Sequence, residues 1–190
     1  MTSPLQEIPG SQPVRNINLR WAALALALLA ALYTLAWVGR PLVNYLQAYD
    51  LMKPAVAVIS LVGLFFLLAA SRWMGELDPR KLLLAALVFI LSMGLSLIVT
   101  RTLAEAIHTV EYELLAICIY NSLRPKLSGR NLYSYTLFLV LAAGWSDELM
   151  QSFAPDRYYD LADVLLNMTS GGFGIIIAAI LTGAHERQKP

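Results

Sequence analysis

Apolar residues run in blocks of near-constant length along this chain, separated by short polar breaks. Long apolar blocks occupy 20–38, 54–71, 81–100, 103–123, 132–150 and 161–184. A membrane-spanning helix needs about 20 such residues, so the pattern predicts six spanning helices. The breaks carry helix-stopping chemistry. Gly39-Arg40-Pro41 is expected to end the first helix, since proline removes a backbone donor and clashes with the preceding turn. The break after the second helix holds Arg72, Glu76, Asp78 and Arg80 with Pro79, and Arg124-Pro125-Lys126 with Ser128-Gly129-Arg130 forms a basic turn. Pro155-Asp156-Arg157 separates the fifth helix from the sixth. Almost nothing joins the third helix to the fourth, which predicts an antiparallel hairpin.

The fold class expected is therefore all-α: a polytopic membrane helix bundle of about six transmembrane helices with both termini cytoplasmic. The orientation comes from basic residues, which concentrate on cytoplasmic segments. With the N-terminus inside, ten Lys and Arg lie on inner segments, and four (Arg40, Lys53, Arg101, Arg157) lie outside. Residues 1–19 are polar, contain Pro4, Pro9 and Pro13, and are expected to form a disordered cytoplasmic tail. The apolar run that follows is near full spanning length and reads as a retained anchor, not a cleaved signal peptide. Residues 20–100 are expected to be a three-helix hydrophobic scaffold, 101–184 a three-helix unit carrying the chemistry, and 185–190 a second cytoplasmic tail.

Composition agrees with this class. Of 190 residues 58% are hydrophobic and only 14% charged, against about 25% charged in soluble domains. The net charge of +1 carries no message about partners. No basic face or aromatic platform outside the spans suggests nucleic acid. The single cysteine, Cys118, lies mid-span and reads as an apolar filler.

The chemistry lies in the last three helices. A charge in hydrocarbon costs roughly 3 kcal/mol on insertion scales, so polar residues there mark a site unless they are paired. The fourth helix carries Glu105, His108 and Tyr112 on one face, with Glu111 beside them and Glu113 pointing roughly the opposite way. The fifth ends in Asp147, Glu148 and Gln151, where the helix dipole disfavours anions and a compensating partner is required. The sixth begins with Asp160, Asp163 and Asn167 at helical spacing, followed by Gly171 and Gly174 as a close-packing seam. In the predicted topology all three groups lie at one level near the extracytoplasmic face.

These residue types admit several chemistries. His108 with Glu111 suits general acid/base work, as do Asp147, Glu148 and Asp163; the bland alternative is a self-neutralising structural pair. Arg157 suits a phosphate or carboxylate, or a pair with Asp160 or Glu148. Gln151, Asp160, Asn167 and Tyr112 are the candidate substrate contacts. A carboxylate-rich set with one histidine also admits a divalent cation, with Mg²⁺, Mn²⁺ and Zn²⁺ all open.

The ordered set His108-x-x-Glu111-Tyr112, Asp147-Glu148-x-x-Gln151, Pro155-x-Arg157, Asp160-x-x-Asp163-x-x-x-Asn167, then Gly171 and Gly174, resembles the VanZ-like membrane protein family. The resemblance covers about residues 105–174. It implies a multi-pass protein of the bacterial inner membrane whose founding members are linked to teicoplanin resistance, and it points to the same polar residues. It does not imply that this chain confers resistance. Three functional classes stay open: an enzyme acting on an envelope lipid or lipid-linked phosphate carrier, a non-catalytic envelope scaffold or ligand-binding protein, and an ion-coupled transporter. The last ranks lowest, because no broken helix pair or symmetric halves appear. The sequence leaves the oligomeric state open.

Overall fold

A computed structural model describes residues 16–75, 78–153 and 158–183. Among these the chain is entirely helical: α1 Leu19–Ala48, α2 Met52–Met74, α3 Pro79–Val99, α4 Leu103–Leu123, α5 Gly129–Gln151 and α6 Leu161–Thr182. Four of them are long and apolar enough to cross a membrane: α1 over Leu19–Ala36, α2, α3 and α6. The other two match them in length but are more polar: α4 carries four ionisable groups in its first half, and α5 ends in two carboxylates. Residues 1–15, 154–157 and 184–190, with the tails and the Pro155-x-Arg157 turn expected there, lie outside the described residues.

The helix ends follow local chemistry. Asp78 caps α3 by accepting from the Arg80 amide at 2.9 Å, with Pro79 in the first helical position, where its missing N–H costs nothing. Gly75 and Gly183 end α2 and α6 in the left-handed conformation, at φ of 73° and 59°.

One boundary differs sharply from the sequence expectation. Gly39-Arg40-Pro41 does not end α1, which continues through Pro41 to Ala48. Proline costs the helix one backbone bond, but neighbouring groups in a helix bundle tolerate that loss. Beyond the proline the chain remains amphipathic, and Arg40, Asn44 and Gln47 face a polar cavity. The apolar run stops at Val38 because solvent-accessible chemistry begins there, while the helix goes on.

The bundle is organised around α4, which packs against all five other helices, most extensively α6. From Tyr112 to Ser122 every residue of α4 is buried. The outer helices instead turn apolar side chains outward, as Leu61 and Phe65 on α2 and Leu91 and Ile98 on α3 do. A helix buried on all sides belongs in the middle of a bundle; one with an apolar outer face suits lipid.

Small residues set the closest approaches. A Cβ added at Gly174 would lie 2.5 Å from the Glu113 backbone oxygen, and one at Gly171 would lie 2.3 Å from Val140 Cγ1. The two glycines thus seat α6 on α4 and α5, as the expected seam requires. The α3–α4 pair is antiparallel, since Ser92 meets Glu113 while Ser96 meets Thr109.

Candidate functional site

The start of α4, the end of α5, the start of α6 and the last turns of α1 meet at one end of the bundle. They enclose a cavity of about 490 Å³ lined by His108, Gln151, Asp160 and Asp163, together with Glu105 and Arg40. Four of the expected site residues therefore share one space. α1, expected as part of a three-helix hydrophobic scaffold, also lines this cavity through Arg40, Val43, Asn44 and Gln47.

His108 and Glu111 lie one turn apart on α4, with His108 Nδ1 3.0 Å from Glu111 Oε2, both half-buried. The contact has ion-pair distance, although the ring N–H is not aligned along it. The ring faces the cavity, with a carboxylate at its back. A histidine held beside a carboxylate is a competent proton donor and acceptor.

Asp147 is 1% exposed. Its Oδ2 accepts from the Tyr112 hydroxyl at 3.3 Å and from Gln151 Nε2 at 3.1 Å, while Oδ1 has no hydrogen-bond partner among the described residues. Glu148 is equally buried, and its Oε2 accepts from the Asp160 backbone amide at 3.3 Å. This answers the problem of anions at a helix C-terminus. Glu148 sits against the N-terminus of α6, where the dipole and a free N–H favour negative charge. The bond also fastens the end of α5 to the start of α6.

Asp160 has three roles in the structure. Its Oδ1 caps α6 through the Ala162 amide at 2.8 Å, its Oδ2 lies 3.5 Å from Arg101 Nη1, and it lines the cavity. The Arg101 pair is largely exposed and adds little stability. Glu105 is engaged at the start of α4. The Thr102 hydroxyl accepts from the Glu105 amide at 3.2 Å, and the Glu105 carboxylate receives the Thr102 hydroxyl at 3.0 Å and the Arg101 amide at 2.9 Å. This is a form of capping box. Replacing Thr102 by alanine is expected to cost about 1 kcal/mol and to lower the thermal denaturation midpoint in detergent by a few degrees, with Thr102→Ser restoring most of the loss.

Asn167 lies deeper, 1% exposed, with both side-chain amide atoms unpartnered among the described residues. Gly144 makes room for it, since a Cβ there would come 3.1 Å from Asn167 Cβ and 3.6 Å from the Tyr112 ring. Asn167 thus stands behind the Tyr112–Asp147 pair, away from the cavity surface. The residue expected to hold an anion, Arg157, is outside the described residues. By sequence Arg40 and Arg101 fall on the outer side with no part in the site, whereas in the structure Arg40 lines the cavity and Arg101 lies against Asp160. The signal for Arg101 was its place immediately before the Thr102 cap. Arg40 was hidden by the assumption that α1 ended beside it.

A second polar locus lies apart from the cavity. Glu113, 1% exposed at the midpoint of α4, accepts from the Ser92 hydroxyl through Oε1, while Oε2 has no partner among the described residues. The expectation that Glu113 points away from His108 corresponds to this contact with α3. Among the described residues no group of three His, Cys, Asp or Glu side chains is arranged to hold a metal ion.

The VanZ/LLP1 family model matches residues 11–182. The chain belongs to that family, and the match extends to the first three helices, well beyond the segment from which the resemblance was drawn. Family membership and the four apolar helices define a membrane protein of the VanZ type. No curated protein and no solved structure matches the chain.

Proposed function

We propose that the chain is a six-span protein of the bacterial inner membrane, with both termini cytoplasmic, whose polar cavity opens at the extracytoplasmic face and acts on an envelope lipid or lipid-linked phosphate carrier. The observation that supports this reading is the meeting of His108, Gln151, Asp160 and Asp163 in one cavity at one end of the bundle. The Asn18 amide donates to the Ser122 carbonyl at 3.0 Å, so the start of α1 and the end of α4 share the other end, and the ten-to-four distribution of basic residues supports placing that end in the cytoplasm.

In this reading His108, set by Glu111, moves a proton at the cavity surface, and Asp163 contacts the ligand directly. Gln151 and Asp160 orient the ligand. Tyr112, Asp147 and Asn167 support the wall behind them, and Glu148 positions Asp160 by holding its amide. Arg157 is the candidate phosphate contact and a divalent cation a candidate cofactor; no step is routed through either. A link to teicoplanin resistance belongs to the same reading, and drug susceptibility of cells with and without the protein measures it.

The test compares envelope lipids by mass spectrometry in cells making the wild type, His108→Ala or Glu148→Ala at equal abundance. A lipid or carrier species altered by the wild type alone is the expected result. Identical profiles in all three would overturn the catalytic reading. One observation favours a non-catalytic alternative: Asp147 Oδ2 accepts from both Tyr112 and Gln151 in a buried structural network. Under that reading, loss of Asp147 lowers abundance and leaves lipids unchanged.

A further inference from the structure

Beside the polar cavity lies a second one, of about 450 Å³, enclosed by α3, α4 and α6. Its size falls within the range of small-molecule sites. The two cavities share Glu105, Asp160 and Asp163, so the three carboxylates form a common rim. On one side of the rim stand His108, Gln151 and Arg40; on the other, the wall is built largely from Leu95, Val99, Leu166 and Phe173.

Hydroxyl groups interrupt that wall, but five of the six have their protons engaged within the protein. The single Ser92 proton lies between the Phe89 carbonyl, at 2.8 Å, and the Glu113 carboxylate. Thr100, Thr169 and Ser170 each donate to a backbone carbonyl one turn back, at 2.8 Å. Thr109 donates to Ser96 at 2.6 Å. Five hydroxyl protons are thus already engaged within the protein, and the space they border suits hydrocarbon.

The rim residues differ in how far they are committed. Glu105 and Asp160 cap helices. Asp163 borders both cavities, is only partly buried, and receives no hydrogen bond among the described residues. It is an acceptor with its capacity open at the junction of a polar and an apolar space.

We infer that the two cavities form one site for an amphiphile, its hydrocarbon chain lying between α3 and α6 and its head, bearing a hydroxyl or ammonium donor, meeting Asp163. This rests on the lipid reading above and narrows it: Arg101 also lines the rim and pairs with Asp160 at 3.5 Å, which leaves Asp163 as the rim carboxylate that receives no hydrogen bond among the described residues, so the head group is recognised by its donors. A phosphate seated at Asp163 would meet a carboxylate at hydrogen-bond range, and like charges repel there.

The test uses the full chain in lipid nanodiscs with a hexadecylamine carrying a diazirine in its chain, and the matching hexadecyl phosphate. Photolysis followed by peptide mapping reads where each chain lies. The amine probe is expected to label α3 and α6 around Leu95, Val99, Leu166 and Phe173. Asp163→Asn is expected to weaken labelling about tenfold, the effect of losing one charged hydrogen bond. Filling the slot from its outer lip with Leu165→Trp and Thr169→Trp should abolish it. These two positions are exposed, and unchanged thermal denaturation without probe shows that the doubly substituted protein is folded. Labelling spread evenly over outward residues such as Phe65 and Leu91 would mean ordinary boundary lipid and would overturn the slot. Equal labelling by the phosphate probe would overturn the donor-bearing head. The lipid-profile comparison fails separately: labelling confined to the slot with no lipid altered in cells would keep the binding site and remove the chemistry.

Discussion

Alanine at Gly174 is expected to prevent the bundle from closing, and no second substitution should rescue it. The added methyl group would stand 2.5 Å from the Glu113 carbonyl oxygen and 2.8 Å from its Cα. Both are backbone atoms of the central helix, so α6 as a whole would have to move off α4. Overpacking of this kind costs about 1–3 kcal/mol when side chains can adjust, and here the upper end applies because backbone cannot turn aside. Gly171→Ala offers the contrast. The three atoms nearest its methyl all belong to the Val140 side chain, so Val140→Ala in the same chain should restore much of the lost stability. Gly172→Ala, with nothing within 4 Å, should behave as wild type. Folded yield and thermal denaturation in one detergent check all four proteins. A stable Gly174→Ala protein would show that the α4–α6 seam is looser than its geometry.

The second large effect is expected at Asp147. Alanine there removes the shared acceptor of Tyr112 and Gln151 and takes from the buried Tyr112 phenol the acceptor it has in the structure, at about 1–3 kcal/mol for an unsatisfied group. Asp147→Asn keeps an oxygen in place and should cost much less. Tyr112→Phe should fall between them, and combining it with Asp147→Ala should cost less than the sum, because partners in one network are not additive. Denaturation midpoints of the four variants decide it. Equal loss with asparagine and alanine would mean that the carboxylate charge itself matters, through His108 or a bound ligand.

The helices were legible in the sequence because lipid imposes a length on them. Of the six expected stretches, 103–123 matches α4 at both ends, and most of the others are short by only a turn or less at an end. The miss at α1 has a specific cause. Hydropathy reports where lipid stops and says nothing of where helical hydrogen bonding stops, and Pro41 looked like a terminator only because both were assumed to coincide. The convergence of His108, Gln151, Asp160 and Asp163 was legible from topology alone, since alternating helices bring those ends together. What each carboxylate does there was not. Glu105 and Asp160 read as site chemistry, yet their nearest duties are helix caps, and Glu148 answers the dipole of the following helix. Glu113 directly follows Tyr112 but points away from the expected cluster, and its partner Ser92 stands on α3, whose only hydroxyl residues are Ser92 and Ser96.

The central position of α4 bears on how this protein can be made. A lone helix carrying Glu105, His108, Glu111 and Glu113 would leave four ionisable groups in hydrocarbon, each acidic one costing roughly 3 kcal/mol on insertion scales. In the proposed topology it cannot wait alone in the bilayer for its neighbours. Its immediate predecessor α3 brings Ser92 and Ser96 to Glu113 and Thr109, and its immediate successor α5 brings Asp147 to Tyr112. The order of helices in the chain is therefore also an order of delivery: the most polar helix leaves the insertion machinery between the two neighbours that supply its partners.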